Sequence, residues 1–466
     1  MSGKVTLLGA GPGNIELLTL LGKRRLKQAD VVLYDRLVNP SLLLLTSQQA
    51  QLINVGKMPH YHKYHQEDIN NLLVKYAKMG YQVVRLKAGD PYVFGRGGEE
   101  AAYLKSQGIA FEVIPGLTSA LAGLSAVGIP ITQRGLASSF HVITGQRRDS
   151  EADLNWNNIA HQEGTLVFLM GMSNLANICH NLIINGKNSH TPVAIIQWAT
   201  QWRQKMVISN LKEITAAAAQ KGLSSPALIV IGEVVRMSQQ LNVILPLQKQ
   251  HILVPFSKHS ILYQRLSDLG ATVDFYPRQI KVKQKVKLPN LDKFAIILID
   301  SVIAFTDFSQ LLLENNLDVR ILARKQIWVR SNLVAQHLKQ YGILVDKVIT
   351  TDANINTAQI LEISSDELHS DTLNFLSLEK PLTKMKKLLY DLQTFQAIVF
   401  PSRASLKDFI AVLDNSQLQQ LQQLQAFVMG EQVANLAQEY DFREIINCPT
   451  NLARTIAIIE RKLTNE

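Results

Sequence analysis

The 466-residue sequence has only two cysteines, Cys179 and Cys448, and they stand far apart in the chain. Neither belongs to a Cys-x-x-Cys pair, so the sequence indicates neither a zinc knuckle nor a redox-active dithiol. So few cysteines in so long a chain are typical of a protein of the reducing cytosol. We therefore expect a cytoplasmic location.

The sequence also lacks an uncharged apolar run of about 20 residues, which a membrane-spanning helix needs. Its first residues run directly into a predicted strand and lack the apolar stretch and cleavage site of a signal peptide. Charged residues make up only 18 % of the chain, and the basic ones behind the net charge of +10 are scattered rather than clustered. We expect no membrane and no nucleic-acid partner, and a small acidic molecule as the substrate.

Short apolar runs alternate with helical patterns, such as 17–28, along most of the chain. The predicted strands are 5–8, 30–34, 82–86, 111–114, 141–144, 165–170, 193–197, 227–231, 252–254, 295–299, 327–329, 397–400 and 426–429. This alternation predicts an α/β fold with largely parallel sheets. A polar stretch near 239–250 separates two such series, which predicts one domain over 1–245 and another over 251–466. Within the second, we expect 350–383 to be loop-rich and 417–425 to be an amphipathic helix.

Three glycine-rich segments each follow a predicted strand and open a helix: 9–13, 87–100 and 114–120. Loops at the carboxyl ends of strands are where an open α/β sheet builds a ligand site. The first segment by itself is also compatible with an ordinary turn. Asn14 stands where a dinucleotide fingerprint requires glycine, which disfavours a nicotinamide-dependent dehydrogenase.

The motifs agree with one another in order and spacing. They are Gly-x-Gly-Pro-Gly (9–13), Tyr-Asp-x-Leu-Val (34–38), Val-Gly-Lys (55–57), Gly-Asp-Pro-x-Val-Phe-Gly-Arg-Gly-Gly-Glu-Glu (89–100), Pro-Gly-x-Thr-Ser (115–119) and Thr-x-Arg-Gly-x-Ala (132–137). Together they resemble the uroporphyrinogen-III C-methyltransferases over residues 1–245. The resemblance implies a two-lobed class III (tetrapyrrole) methyltransferase fold, usually a homodimer, with S-adenosylmethionine bound between the lobes and no metal. It also implies methylation of uroporphyrinogen III at C2 and C7 to precorrin-2, the branch point to sirohaem and cobalamin.

By match to the motifs of that family, Asp35 is the proton acceptor, and Lys57 is the proton donor or a clamp for substrate carboxylates. The positions that match the family's binding of the methyl donor are Pro12, Ala88, Gly89, Asp90, Val93, Thr118, Ser119, Met170, Ala199 and Ala227. The candidates to meet the carboxylates of the substrate are Arg96, Arg134 and His62.

Structural roles remain open for several of these residues. Asp35 and Asp90 are also compatible with turns, Met170 with core packing and Lys57 with a solvated surface position. The chain departs from the family at Ala88, where glycine is more frequent. If this extra methyl group has an effect, we expect it to change the affinity for the methyl donor. The stretch 60–65, His-Tyr-His-Lys-Tyr-His, has no supporting acidic or cysteine ligand elsewhere, so a solvated or substrate-facing loop is favoured over a metal site.

The second half resembles uroporphyrinogen-III synthases more faintly, through 252–254, 295–301, 397–404, 428–434 and 448–450. That resemblance implies two α/β lobes, one of them shared by the first and last parts of the domain, and cyclisation of hydroxymethylbilane. Ser301 and Ser402 are candidate hydroxyl donors, with capping or turn roles equally open. Pro255-Phe256 and Val433 replace hydroxyl-bearing or basic family residues. The alternatives are therefore a bifunctional enzyme, a methyltransferase with a catalytically silent interaction domain, and another class III methyltransferase acting on a later corrin or on ribosomal RNA.

Overall fold

A computed structural model of the chain describes residues 3–47, 49–56, 64–146, 154–257, 260–277, 281–283, 286–349, 359–364, 372–374, 376–378 and 390–464. The chain forms two compact units. One comprises Met1–Arg278 together with Lys386–Glu466, and the other comprises Gln279–Met385. Within the described ranges, no helix is both long enough and apolar enough to cross a bilayer.

Five strands form the first sheet: β1 Lys4–Gly9, β2 Val31–Tyr34, β3 Gln51–Asn54, β4 Gln82–Lys87 and β5 Phe111–Ile114. Their order is β3-β2-β4-β1-β5, and every pairing is parallel. The connecting helices are α1 Leu20–Gln28, α2 Gln66–Lys78, α3 Gly97–Ser106 and α4 Ser119–Ser125, with 3₁₀ helices at Ile15–Leu17 and Pro40–Leu45. Because the strands are parallel, their carboxyl ends and the loops that follow them share one edge of the sheet.

A second sheet contains β6 Phe140–Thr144, β7 Thr165–Leu169, β8 Pro192–Gln197, β9 Lys205–Asn210 and β10 Ala227–Ile231, in the order β6-β7-β10-β8-β9. Its helices are α5 Trp156–His161, α6 Leu175–Ile184, α7 Ile214–Gln220 and α8 Ser238–Leu241. With the first sheet it forms the two lobes that the resemblance implied for residues 1–245.

The expectation of largely parallel sheets is wrong for this second lobe. Only β6 and β7 run parallel, whereas β10 is antiparallel to both of its neighbours and β9 is antiparallel to β8. The connection 198–204 between β8 and β9 is too short for a parallel crossover, which needs about a dozen residues or more, so it closes a hairpin. Alternation of strands and helices along a sequence does not by itself fix strand direction.

The same unit contains a third, wholly parallel sheet, in which strand numbers follow chain order. Its strands are β11 His251–Pro255, β12 Thr272–Tyr276, β20 Ala397–Phe400, β21 Gln425–Met429 and β22 Glu444–Cys448, in the order β12-β11-β20-β21-β22. Its helices are α9 Ile261–Asp268, α12 Arg403–Ile410, α13 Asn415–Leu421, α14 Glu431–Glu439 and α15 Leu452–Thr464. We call this sheet and its helices the C-terminal lobe. As the resemblance implied, the first and last parts of 251–466 share it.

The second unit has its own parallel sheet, with the strands β14 Ile296–Ile299, β15 Gln326–Val329, β16 Lys347–Val348, β17 Ile360–Ser364 and β18 Thr372–Asn374, in the order β16-β15-β14-β17-β18. A separate antiparallel pair joins β13 Lys281–Lys283 to β19 Leu376–Leu378. Its helices are α10 Val302–Glu314 and α11 Asn332–Lys339. Most of 350–383, expected to be loop-rich, lies outside the described residues, and the described part contains β17, β18 and β19.

The predicted strands of both halves are present, although the sequence patterns missed nine of the strands in the described ranges: β3, β9, β12, β13, β16, β17, β18, β19 and β22. The predicted helix over 17–28 begins later, at Leu20, because the side chain of Thr19 accepts a hydrogen bond from Gly22 N and caps it. Helix α13 ends at Leu421, and Gln425 already belongs to β21. Cys179 and Cys448 are both buried free thiols. The domain boundary at 245–251 stays a prediction.

Glu112 on β5 links the edge of the first sheet to α1. Its carboxylate accepts hydrogen bonds from Arg25 and from Thr6 Oγ1 (2.9 Å), and it forms an ion pair with Lys4 (3.0 Å). The hydrogen bond from Arg25 is the main reason that the pKa of Glu112 falls from 4.5 to about 2. The ionised carboxylate is therefore favoured by folding.

We expect Glu112→Gln to remove a contribution to stability that depends on pH. A lowered folded-state pKa stabilises the fold above the unfolded-state value of about 4.5, and the effect is lost as pH falls toward 2. The difference in unfolding free energy between the parent and the variant should thus be full at pH 6 and shrink steadily in acid. Urea titrations across this range measure it, with the exposed Glu439→Gln as the control. A difference that does not change with pH would contradict the assignment.

Candidate active site

The three predicted glycine loops meet at the carboxyl edge of the first sheet, after β1, β4 and β5. Gly11 and Gly89 exchange backbone hydrogen bonds of 3.2 and 2.8 Å. A Cβ on Gly116 would lie 2.2 Å from Gly89 O, and one on Gly9 would lie 2.5 Å from Gly116 Cα. Since both clashes involve backbone, these positions admit only glycine. The loops are therefore held together by main-chain packing, and their predicted convergence is confirmed.

Seven of the proposed donor-binding residues lie on these loops: Pro12, Ala88, Gly89, Asp90, Val93, Thr118 and Ser119. All are partly exposed rather than buried. Thr118 is the N-cap of α4, so its hydroxyl accepts from Ala120 N at 3.4 Å. Gly89 has φ +68, and its missing side chain faces open space, with Thr118 Cα at 3.9 Å as the nearest atom to a Cβ there. The loops thus present bare backbone to an open face.

Asp90 joins two of the loops. One carboxylate oxygen accepts from Tyr92 N at 2.7 Å and the other accepts from Gly116 N at 3.0 Å. Both bonds are structural, so the turn role left open for Asp90 is present. A carboxylate has further lone pairs, and binding to the donor stays a prediction for this residue.

The other three donor-binding candidates lie at one edge of the second sheet. Met170 follows β7, Ala199 follows β8, and Ala227 begins β10 opposite Gln197. Met170 has φ +57 and is 46 % exposed, so core packing does not explain it. Helix α4 reaches this edge, because a Cβ on Gly123 would lie 2.5 Å from Leu228 Cδ1 and 3.0 Å from Ala199 Cβ.

Asp35 follows β2, beside the β4 loop that carries Ala88 and Gly89. Its backbone N–H donates to Leu86 O at 3.2 Å, and its partly exposed carboxylate accepts from Arg85 Nη2. Arg85 is buried in β4 and extends in turn to Glu100 of α3, through Nε at 3.2 Å. The carboxylate of Asp35, the proposed proton acceptor, is therefore hydrogen-bonded to a buried guanidinium, and Glu100 holds that guanidinium in position.

Glu100 is the centre of this network and is fully buried. It accepts from Arg85, from Lys87 Nζ at 3.0 Å to each oxygen, and from Gln66 Nε2 at 3.1 Å. Arg85 and Lys87 balance Asp35 and Glu100, so the four charges sum to zero. Such pairing is what makes buried charge tolerable.

The two cations of the network respond differently to burial. Burial acts to lower the pKa of Arg85, but the charges of Asp35 and Glu100 outweigh it and raise that pKa. Burial lowers the pKa of Lys87, and the neighbouring charge of Arg85 adds to the effect. Arg85 therefore stays charged beside Asp35 throughout the range in which proteins are stable.

The candidates for substrate carboxylates are less closely grouped. Arg96 precedes α3 with φ +57 and is bonded to Glu99 at 2.9 and 2.6 Å, which raises the pKa of Arg96. Arg134 is exposed in the turn closed by Gln133 and Ala137. Lys57 and His62 lie outside the described residues.

The sequence interpretation missed Arg85, Lys87, Glu100 and Arg203. Arg203 lies over the ring of Trp198, 3.2 Å from its centroid, and burial, followed by the charge of Arg36, lowers the pKa of Arg203. A signal did exist for the first two, since Arg85 and Lys87 interrupt an apolar strand that parallel pairing would bury on both faces. A buried charge of this kind requires a partner.

A cavity of about 550 Å³ lies where the methyltransferase lobes meet the C-terminal lobe. Its lining includes Asn14, Leu121 and Gln201 on one side and Tyr263 and Ala271 on the other, and no Asp, Glu, Lys, Arg or His from the described ranges. Such a lining does not suit a polycarboxylate. Nor does any group of three His, Cys, Asp or Glu in the described part of the chain fit a metal ion. Of the histidine-rich stretch 60–65, only 64–65 is described.

Comparison with known proteins identifies the family of the first half and a relative of nearly the whole chain. Residues 4–215 match the family described as Tetrapyrrole (Corrin/Porphyrin) Methylases. The uroporphyrinogen-III C-methyltransferase of Priestia megaterium is 48 % identical over 237 residues, which are 51 % of this chain and 100 % of the relative. The porphyrin biosynthesis protein HemD of Ruminiclostridium josui is 33 % identical over 482 residues, covering 95 % of each chain.

Among solved structures, the uroporphyrin-III C-methyl transferase of Thermus thermophilus, complexed with S-adenyl homocysteine, is 40 % identical with a TM-score of 0.44. That match covers 50 % of this chain and 99 % of the other.

We expect Glu100→Gln to lower the free energy of unfolding by about 3–5 kcal/mol, because it removes one charge from a buried, hydrogen-bonded network. The adjacent Glu99→Gln breaks an exposed ion pair with Arg96 and should cost less than about 1 kcal/mol. Urea denaturation of the two variants gives the comparison. Equal effects at 99 and 100 would mean that the buried network does not carry the stability assigned to it.

Proposed function

Because its first half belongs to the tetrapyrrole (corrin/porphyrin) methylases, we propose that the chain transfers methyl groups from S-adenosylmethionine to C2 and C7 of uroporphyrinogen III and so forms precorrin-2. The observation that carries this proposal is the placement of Asp35 beside the three converging glycine loops. Asp35 follows β2, and the loop with Ala88–Asp90 follows the adjacent β4. The proposed base and the proposed site for the methyl donor thus share one edge of the sheet.

The described residues fit such a donor. Gly89 leaves an open face, and Thr200 Oγ1, next to Ala199, is buried without a hydrogen-bond partner among the described residues. A buried hydroxyl without a partner is costly, and a bound ligand would satisfy it. The proposed donor-binding set remains the ten positions named from the motifs.

In the proposed reaction, a pyrrole carbon attacks the methyl group in line, and the carbon–sulfur bond of S-adenosylmethionine breaks with its electron pair passing to sulfur. The products are the methylated ring and S-adenosylhomocysteine. The methylated ring then loses a proton, which we assign to the carboxylate of Asp35. The contact with Arg85 orients that carboxylate, and base catalysis requires a positioned acceptor. Lys57, as proton donor or clamp, rests on the resemblance alone.

The eight carboxylates of uroporphyrinogen III require basic partners. We propose Arg96, Arg134 and His62 for this role, since guanidinium groups bind carboxylates with two parallel hydrogen bonds. Arg96 would have to exchange its pairing with Glu99 for the substrate. That exchange costs little for an ion pair near the surface.

We further propose that residues 251–466 cyclise hydroxymethylbilane to uroporphyrinogen III. The similarity to HemD along 95 % of the chain and the two α/β sheets of this half support the proposal. The hydroxyls of Ser301 and Ser402 cap α10 and α12, each accepting a backbone N–H at 3.2 Å, which supports the capping alternative for these serines. The alternative of a silent C-terminal half therefore stays open to experiment.

The assembly and location of the protein also remain proposals. We propose a homodimer formed through the methyltransferase domain, which sedimentation velocity would distinguish from a monomer. The cytoplasm is the location that we propose from the cysteine content.

Asp35→Asn should slow methylation of uroporphyrinogen III by about 10²-fold or more, because it removes the general base. Affinity for S-adenosylhomocysteine should remain within about twofold, since the donor loops are intact. Initial rates and titration calorimetry measure the two effects. Asp441→Asn serves as a control, because Asp441 has φ +55, a conformation that asparagine accepts. Unchanged turnover in Asp35→Asn would remove this carboxylate from the mechanism.

Hydroxymethylbilane supplied with S-adenosylmethionine should yield a methylated type III product if both halves are active. The ring that closes spontaneously is the type I isomer, so the isomer formed reports on the second half alone. Uroporphyrinogen III added directly is the control for the methyltransferase. A methylated product only from the directly added ring would leave the first half active and the second half silent.

A further inference from the structure

Ser41 connects the methyltransferase to the C-terminal lobe. It lies in the 3₁₀ helix that follows Asp35, is only 1 % exposed, and its hydroxyl donates to Asp274 Oδ1 at 2.8 Å. The Ser41 Oγ itself accepts a hydrogen bond from Phe275 N at 3.0 Å and is hydrogen-bonded to the hydroxyl of Tyr390. A hydroxyl has one donor and two acceptor sites. All three sites of Ser41 are therefore occupied by hydrogen bonds to residues that follow the methyltransferase lobes.

His251 completes the arrangement behind Asp274. Its Nε2 lies 2.7 Å from Asp274 Oδ2, and its Nδ1 lies 3.1 Å from Thr394 O. Both ring nitrogens therefore lie within hydrogen-bond distance of an oxygen atom. The ring stacks against Phe395 and against Trp202, with centroids 3.7 and 5.3 Å away.

The stacking of Trp202 on His251 is a second contact between the methyltransferase and the C-terminal lobe. Trp202 belongs to the loop 198–204, which also carries Ala199. The C-terminal lobe therefore holds two loops: 35–45 through Ser41 and 198–204 through Trp202. Both loops reach the first glycine loop. Asn39 Nδ2 donates to Gly13 O at 3.0 Å, and a Cβ on Gly13 would lie 2.5 Å from Gln201 Nε2.

We propose that Ser41 and Trp202 are positioning residues for methyl transfer, held by the Asp274–His251 pair of the C-terminal lobe. Through Ser41 the pair fixes the turn that carries Asp35, and through Trp202 it fixes the loop beside the donor. The inference rests on the proposed methyltransferase function. It gives the second half of the chain a part in methylation that is separate from any activity of its own.

The proposal applies to this chain rather than to all methylases. The relative from Priestia megaterium matches over its whole length with only 51 % of this chain. It therefore has no second half to supply such a contact. In the present chain, the buried Ser41 hydroxyl would lose its partners if the C-terminal lobe were withdrawn.

The test compares Ser41→Ala and Asp274→Ala with Asp274→Asn in the full-length chain. An asparagine retains the network, since its oxygen can accept from Ser41 while its amide can donate to Nε2 of His251. We expect each alanine variant to lower kcat and to weaken S-adenosylhomocysteine binding, each by about fivefold or more, because small displacements of positioned groups are costly. Asp274→Asn should stay within about twofold of the parent on both measures.

Tyr276→Phe is the matched structural control. Its hydroxyl donates to Val399 O at 3.0 Å, and its ring packs against Phe400 and Phe409, all inside the same lobe. It should lower Tm with no change in kcat or donor affinity. If the alanine variants do not fold, Trp202→Leu, at a half-buried position, is expected to weaken donor binding in the same way.

Three outcomes separate the possibilities. Loss of kcat and donor affinity in the alanine variants, with retention in Asp274→Asn and Tyr276→Phe, supports the positioning role. Folded alanine variants with parental kcat and affinity would overturn it while leaving the proposed methyltransferase function intact. A parent protein that binds no S-adenosylhomocysteine and methylates nothing would overturn both.

Discussion

Backbone-to-backbone packing of the glycine loops after β1, β4 and β5 is the constraint on which the candidate site depends. Gly9 and Gly116 approach the neighbouring loops so closely that a Cβ on either residue would overlap main-chain atoms. Asp90 adds hydrogen bonds across two of the loops. Because the loops cannot move apart independently, the proposed donor-binding residues that they carry share one fixed frame. A rigid frame is what transfer between two bound partners requires, since most of the catalytic gain comes from orientation.

The neighbouring strand adds the chemistry to this frame. Asp35 contacts a buried arginine, whose other side is satisfied by a fully buried glutamate. Arg85 and Lys87 balance the charges of Asp35 and Glu100, and this pairing makes the buried charges tolerable. The result is a carboxylate that is partly exposed at the site yet oriented from within the core. The charged network and the glycine loops belong to the same parallel sheet. In this sheet Arg85 of β4 orients Asp35, which follows the adjacent β2.

The junction with the C-terminal lobe places a second set of buried polar groups only a few residues beyond Asp35. Ser41 lies on one side of that junction, and Asp274, His251 and Tyr390 lie on the other. A chain with two successive catalysts would gain from the high local concentration of the shared intermediate. The contacts at this junction add a different physical link, because the lobe that follows the methyltransferase also contacts two of its loops.

The sequence by itself determined thirteen of the strands in the described ranges and the convergence of the glycine loops, whereas the domain boundary at 245–251 stays a prediction. Apolar runs, turn residues and glycine spacing are local signals, and parallel strands bring their carboxyl ends together whatever the remaining details. Only the tertiary structure decided the antiparallel pairing of the second lobe, since strand direction depends on how each connection returns. Only the tertiary structure revealed that Arg85 contacts Glu100 and that Ser41 contacts Asp274. These pairs are separated by 15 and 233 positions in the sequence and become neighbours only when the chain folds. Hydrogen bonds across such separations leave no periodic trace in a sequence, and the burial that makes them consequential is a property of the packed molecule.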